Sequence, residues 1–185
     1  MFAVVIDACV LFPNFLRDTV LTLAEQELFR PLWSEAILAE VRRNVLAKRD
    51  VDPDAFDRTL ALMNNAFDDA TVGDWEPLVA GLDLPDPGDR HVLAAAIAGG
   101  AQSIATFNLA DFPAERLEPH NIEAVHPDAF LLDQLDLAPA TVLAALRRQA
   151  SRFRKPPMDL SGLLARLERC GVPGFAEEIR RRNAL

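Results

Sequence analysis

Cysteine and histidine are scarce in this 185-residue chain, with two of the first and three of the second. Cys9 and Cys170 lie far apart in sequence without metal-site spacing, so they read as free thiols of a reducing compartment. His91, His120 and His126 form no His-x-x-x-His or Cys/His cluster, and a zinc site is not expected. No run is long and apolar enough to span a membrane, because Asp7 interrupts the N-terminal one. That run also lacks the basic residues and the small-residue cleavage site of a signal peptide. Cytoplasmic residence is the expectation. No G-x-G-x-x-G follows the first predicted strand, which disfavours dinucleotide binding. There is no G-x-S-x-G and no paired Cys and His, so chemistry through a protein nucleophile has no candidate.

Half the residues are hydrophobic and a quarter are charged, enough for one full-sized domain with a real core and a small appendage. The net charge of -9 argues superficially against an anionic partner, but the charge is unevenly spread. From residue 141 onward ten Lys and Arg face four acids, a balance of +6, while the first 140 residues carry -15. An acidic body with a basic tail points to a partner for the tail or a cation-requiring site in the body.

The stretch "FAVVIDACVLFP" opens with an apolar run, Phe2 to Ile6, that reads as a buried strand ending on Asp7. A carboxylate there is costly unless something pairs with it or binds it. Helical spacing follows in "NFLRDTVLTLAEQELF", and "RPLW" reads as a short strand or turn. Ser34 is placed to cap "EAILAEVRRNVLAK", and Pro53 to open "DPDAFDRTLALMNNAF". "ATVG" suits a short strand and "DLPDPGD" a turn-rich loop. The small-residue helix "DRHVLAAAIAGGA" ends at Gly99-Gly100, followed by the strand "QSIATF", the loop "NLADFP" and a last strand "IEAVH". After "PDAFLLDQLD" only helices remain: Pro139 to about Arg152, "LSGLLARLERCG" and "VPGFAEEIRRR". The order predicts an α/β fold, a small parallel sheet flanked by helices with a helical C-terminal extension. Residues 1–132 form the expected site-bearing domain and 133–185 the basic extension.

Ligands of such sheets sit at the carboxyl ends of the strands. Asp7 and the Asn108–Asp111 loop both lie just past strand ends, Asp89 opens the small-residue helix, and Glu40 borders the apolar stripe of Ile37 and Val41. Each has a plain structural explanation when taken alone. Asp89 suits a cap, Glu40 a partly buried ion pair and Asp111 a turn. Together they suggest carboxylates that repel one another unless a cation holds them. Hard oxygen ligands select Mg²⁺ or Mn²⁺, ions suited to phosphodiester hydrolysis.

The segments "VVIDACVL", "WSEAILAEVRRNV", "DPGDRHVLAAAIAGGAQSIATFN" and "LADFP" carry a resemblance. In that order, from residue 2 to about 130, they resemble a PIN-domain nuclease of the VapC toxin type. The resemblance implies a Mg²⁺- or Mn²⁺-dependent endoribonuclease that leaves a 5′-phosphate, with three or four carboxylates as its site. By motif, Asp7, Glu40 and Asp89 match the family's acids. At the fourth position Asn108 stands where many relatives carry aspartate, so either Asp111 supplies the charge or Asn108 supports a bound water. Asp111 is the favoured ligand, with Thr106 and Asn108 supporting it and Asp86 in reserve. The resemblance also implies a small antitoxin protein as partner, and a homodimer. In the tail, Arg152, Arg154 and Lys155 flank Phe153 in "RQASRFRKPP", a pattern for RNA contact whose alternative is a core role for Phe153.

Other readings are weaker. A haloacid-dehalogenase-type phosphohydrolase wants a second acid where Cys9 stands, and a receiver domain wants an acidic pair ahead of the first strand's Asp. A catalytically inactive PIN-like scaffold that binds a protein or RNA partner is the alternative function, kept open by Asn108.

Overall fold

The computed structural model describes residues 1–183. Four strands, β1 (Ala3–Ile6), β2 (Arg30–Leu32), β3 (Ser103–Ala105) and β4 (Glu123–Val125), form one parallel sheet in the order β2-β1-β3-β4. The uninterrupted apolar run of β1 is fully buried, as a central parallel strand requires. The chain leaves β1 first toward β2 on one side and later returns to β3 on the other. That reversal opens a crevice at the carboxyl ends of β1 and β3.

Helices α1 (Ala8–Leu11), α2 (Asn14–Ala24), α3 (Glu35–Lys48) and α4 (Pro53–Ala66) separate the first three strands together with α5 (Arg90–Ala98). Ser34 Oγ accepts from the Ile37 amide, so α3 starts at its expected cap, and α4 opens at Pro53 as expected, with an Asp52 oxygen accepting from the Ala55 amide as a cap the sequence reading did not name. Two boundaries differ from expectation. Helix α2 stops at Ala24, five residues short of Phe29, because Glu27 turns left-handed (φ 58°) and redirects the chain into β2. The strand expected in "ATVG" is reduced to a single bridge between Thr71 and Trp33.

Gly99 follows α5 in close contact with the sheet. A Cβ there would lie 2.8 Å from Leu32 Cδ1 and from Val72 Cγ2. Gly100 then takes the left-handed conformation (φ 63°) that turns the chain into β3.

A one-turn helix α6 (Ala114–Leu117) precedes β4, and α7 (Pro127–Leu137), α8 (Pro139–Arg152), α9 (Leu160–Arg169) and α10 (Pro173–Asn183) complete the chain. Helix α8 packs on α2, where buried Gln149 accepts from Thr19 Oγ1 at 2.9 Å and donates to the Phe15 carbonyl at 3.3 Å. Asp128 accepts from the Gly174 and Phe175 amides and so caps α10 from across the fold. Phe153 lies against Phe15 with ring centroids 5.4 Å apart. One buried apolar cluster runs from the sheet into these helices, joining Val5 and Ile104 to Leu146, Leu163 and Phe175. Among the described residues no single helix is long and apolar enough to cross a membrane.

Candidate active site

Asp7 stands one residue beyond β1, and its amide donates to the Ala105 carbonyl at the end of β3 (3.1 Å). This bond joins the two loops that follow the central strands. The residue is only 4% exposed. Its Oδ1 accepts from the Ala8 amide (2.6 Å) and caps α1, which starts immediately after the strand. Its Oδ2 accepts from Thr106 Oγ1 (2.7 Å) and from Cys9 Sγ (3.1 Å). Thr106 Oγ1 in turn accepts from the Asn108 amide (3.0 Å), and Cys9 Sγ accepts from the Phe107 amide (3.3 Å). Burial raises the Asp7 carboxyl above the ordinary 3.8, against the lowering by these donors, and the charge of Glu40 pushes the same way as burial. Burial beside Asp7 pushes the Cys9 thiol up to about 12, so it serves as a neutral donor.

Asp89 ends the 3-10 turn Pro87–Asp89 and opens α5. Its carboxyl is pushed up to about 6, first by burial and then by the charges of Asp7, Asp86, Asp111 and Glu40. Its Oδ2 is buried and has no hydrogen-bond partner. Asp7 and Asp89 therefore share one edge of the sheet.

Glu40, near the middle of α3, faces α5. Its Oε2 lies 3.5 Å from His91 Nε2, and its Oε1 accepts from Asn44 Nδ2 at 3.5 Å. The His91 bond holds the Glu40 carboxyl below its usual range, with burial opposing. His91 Nδ1 is buried and unpartnered.

Asp111 ends the 3-10 turn after β3, its amide bonded to the Asn108 carbonyl, and its charge reaches Asp89. Asn108 itself is exposed, and its contact with Thr106 is made by the backbone. Asp86 spends one oxygen on the Gly88 amide, the role of a turn former.

The expected acids thus converge in charge. Among the described residues, however, no three His, Cys, Asp or Glu side chains close on one point tightly enough to hold an ion. The basic tail is elsewhere. Arg152 pairs with Asp18 on α2 (3.6 Å) and with Glu25 just past its end (3.5 Å), while Arg154 and Lys155 are exposed, and none of the three pairs with the four acids.

A PIN-domain family model matches residues 3–110 and so covers Asp7, Glu40 and Asp89, with Asp111 one residue beyond. The chain belongs to the PIN-domain family. A second model, described as the VapC50 C-terminal domain, matches residues 127–181, the helices that follow the PIN domain. A curated protein of Mycobacterium tuberculosis (strain ATCC 25618 / H37Rv), named "Putative ribonuclease VapC50", is 45% identical over 93 residues. These are 50% of this chain and 54% of that protein, so the chain spans about half the length of the relative it matches. No solved structure gives a significant match.

Two residues of this PIN domain escape a reading of the sequence for acids. Cys9 reads as an isolated thiol, yet its place two residues after Asp7 in a helix-opening turn brings Sγ to the carboxylate. His91 reads as a lone histidine, yet it lies two residues after Asp89 on the face of α5 that meets α3. Thr106 gives a sharp test of the polar shell. Thr106→Val keeps the shape but removes the closest side-chain donor to Asp7 Oδ2 and the acceptor for the Asn108 amide. Urea unfolding should show a loss of about 1–3 kcal/mol, the cost of leaving buried polar groups unpaired. An unchanged midpoint would mean that the Asp7–Thr106 bond contributes nothing.

Proposed function

We propose that this chain is a metal-dependent endoribonuclease, the toxin of a toxin–antitoxin pair. The observation that carries the reading is Asp89. Its inner oxygen is buried without a donor, and burial first, then the charges of four neighbouring carboxylates, raise its pKa. Such an arrangement is unfavourable when empty and becomes favourable around a hard cation. Asp7, Glu40, Asp89 and Asp111 would hold Mg²⁺ or Mn²⁺. When bound, such an ion supplies Lewis acidity toward a phosphodiester and lowers the pKa of water.

The rest is work for the chain. Thr106, Cys9 and the Ala8 amide fix the direction of Asp7, so that its oxygens are presented without rotation. His91 and Asn44 do the same for Glu40. Residues 1–132 carry the nuclease site. Residues 133–185 form the basic extension, whose described part, to residue 183, braces α2, and Arg154 and Lys155, beside Arg152, supply basic contacts for RNA; residues 184 and 185 lie outside the described structure. The named relative's designation as a ribonuclease supports the substrate class, and a small antitoxin and a second copy of the chain complete the proposed set of partners.

A short single-stranded RNA incubated with the purified chain should be cut in Mn²⁺ or Mg²⁺. EDTA should abolish cutting and added Mn²⁺ restore it. Cutting that persists in EDTA would remove the metal from the reading. The spacing of the acids, together with the neutral Asn108, supports one alternative, an inactive PIN-like scaffold that binds a protein or RNA. Calorimetric titration separates the two, because a scaffold without a working centre should take up no Mn²⁺.

A further inference from the structure

The acidic centre explains chemistry but not how an anionic strand is held beside it by a chain of net charge -9. A cleft of 450 Å³ between α1, α2, α3 and α4 bears on this. Its apolar walls include Phe12, Val45 and Phe56, and its polar ones Arg17, Arg49 and a single acid, Asp50. Arg17 is half-buried. It donates to the Leu11 carbonyl (2.6 Å) and lies 5.4 Å from the centre of the Phe56 ring. Arg49 and Lys48 both lie over Phe12, at 5.2 and 5.6 Å.

Among the described residues, none of these three cations has a carboxylate within 4.0 Å, whereas nine other arginines do. Burial lowers the Arg17 pKa, and the charge of Asp18, beyond ion-pair distance, offsets this only in part. The cationic surface continues onto α9, because the charges of Arg169, Arg49 and Arg166 all bear on Cys170. Arg166 and Arg169 likewise have no carboxylate at that distance.

The cleft is tied to the acidic centre by two elements. Asp7 caps the start of helix α1 and Phe12 its end. Helix α3 carries Glu40 and, about 13 Å further along its axis, Lys48 and the adjoining Arg49.

We propose that this cleft holds backbone phosphates of the substrate RNA beside the acidic centre, with Arg17 and Arg49 from its lining and Lys48 beside it over Phe12 as the contacts. The proposal rests on the ribonuclease reading and adds the path of the strand to it. The cations select phosphate, while the apolar walls accept a base without reading its edge. The cleft therefore gives affinity and register, not sequence preference.

The test uses the full chain carrying Asp7→Asn, so that RNA is bound and not consumed. Binding of a fluorescein-labelled 12-nucleotide single-stranded RNA is followed by anisotropy across a salt series. Adding Lys48→Ala and Arg49→Ala, both exposed positions, should weaken binding about tenfold near 0.1 M salt. It should also flatten the slope of log affinity against log salt by about 1.4, or 0.7 per lost phosphate contact. Arg147→Ala with Arg148→Ala removes the same charge from α8 and should leave the slope unchanged. Equal slopes for the cleft variant and its parent would overturn the proposal, as would an equal loss in the α8 control. Labelled hexaglutamate that binds the cleft without being displaced by RNA would assign it to an acidic protein segment and overturn it too. If the unmutated chain cuts RNA in Mn²⁺ while the cleft variant binds like its parent, only the cleft assignment falls. If the unmutated chain neither cuts nor binds RNA, the ribonuclease reading falls with it.

Discussion

Asp7→Asn protein should fold and yet cut RNA roughly a thousandfold more slowly than the parent, the rate equivalent of about 4 kcal/mol of lost metal-borne stabilisation. The two halves of that expectation come from different atoms. Activity is lost because the amide removes one anionic oxygen from the cation site. Folding survives because the amide oxygen can still accept from Thr106 and Cys9 on the Oδ2 side. Its nitrogen would then meet the Ala8 amide, which now donates to Oδ1 at 2.6 Å, and the cap of α1 is lost at a cost of about 1 kcal/mol. Against that cost stands the removal of the Asp7 charge, which burial disfavours and which repels Asp89. The metal-free melting temperature of the variant should therefore stay within a few degrees of the parent, or rise. Circular-dichroism melts and a gel assay of RNA cleavage measure the pair. Cleavage at the parental rate by a folded variant would remove Asp7 from the chemistry and leave it as a helix cap.

Much of this architecture could be read from residue patterns because local and tertiary preferences agree. The apolar run of Ala3 to Ile6 can only be a central strand, Ser34 caps the helix that it precedes, and Pro53 opens the next. Gly99 and Gly100 stop α5 where a side chain would strike Leu32 and Val72, or where the backbone turns left-handed. The misses came where a single residue's backbone decided the outcome. The left-handed turn at Glu27 ends α2 early against a helical pattern, and the abrupt change at Asp7 from strand to α1 leaves no periodicity to detect.

The site followed the same division. Asp7, Asp89 and Asp111 could be placed near one sheet edge from the predicted strand and helix ends, whereas Glu40, within a helix, was joined to them only through the family resemblance. The partners that orient them could not be placed. Cys9, Thr106 and the Phe107 amide meet only because β1 and β3 are neighbours, and His91 meets Glu40 only because α3 and α5 pack together. The basic cleft was hidden for a similar reason. Its cations come from α2 and the end of α3, within the part of the sequence whose net charge is strongly negative, and they stand out only once the ion pairs of nine other arginines are seen.

Divalent metal should stabilise the chain strongly at pH 7.5 and hardly at pH 5. Asp89 carries a folded-state pKa of about 6 against 3.8 for the free group, and that of Asp7 moves in the same direction. Between about pH 4 and pH 6 the folded chain keeps a proton that the unfolded chain has already released. Stability without metal therefore falls as pH rises through that window and stays low above it. Glu40 does not cancel this trend. His91 lowers its pKa, so its contribution is lost only as pH falls below the ordinary 4.5. Above pH 6 the ionised acids are free to take a cation. At one hundred times its dissociation constant Mn²⁺ would add about 2.7 kcal/mol, or roughly 5–10 °C in a chain of this size. At pH 5 protons compete for the same oxygens and the shift should shrink to a degree or two. Asp89→Asn should flatten the downward slope of metal-free stability between pH 4 and pH 6 and also remove most of the Mn²⁺ shift at pH 7.5. These two effects arise from one oxygen pair, so they must disappear together. A variant that lost the pH slope but kept the full Mn²⁺ shift would place the cation away from α5, and an equal shift at both pH values would place it away from these carboxylates altogether.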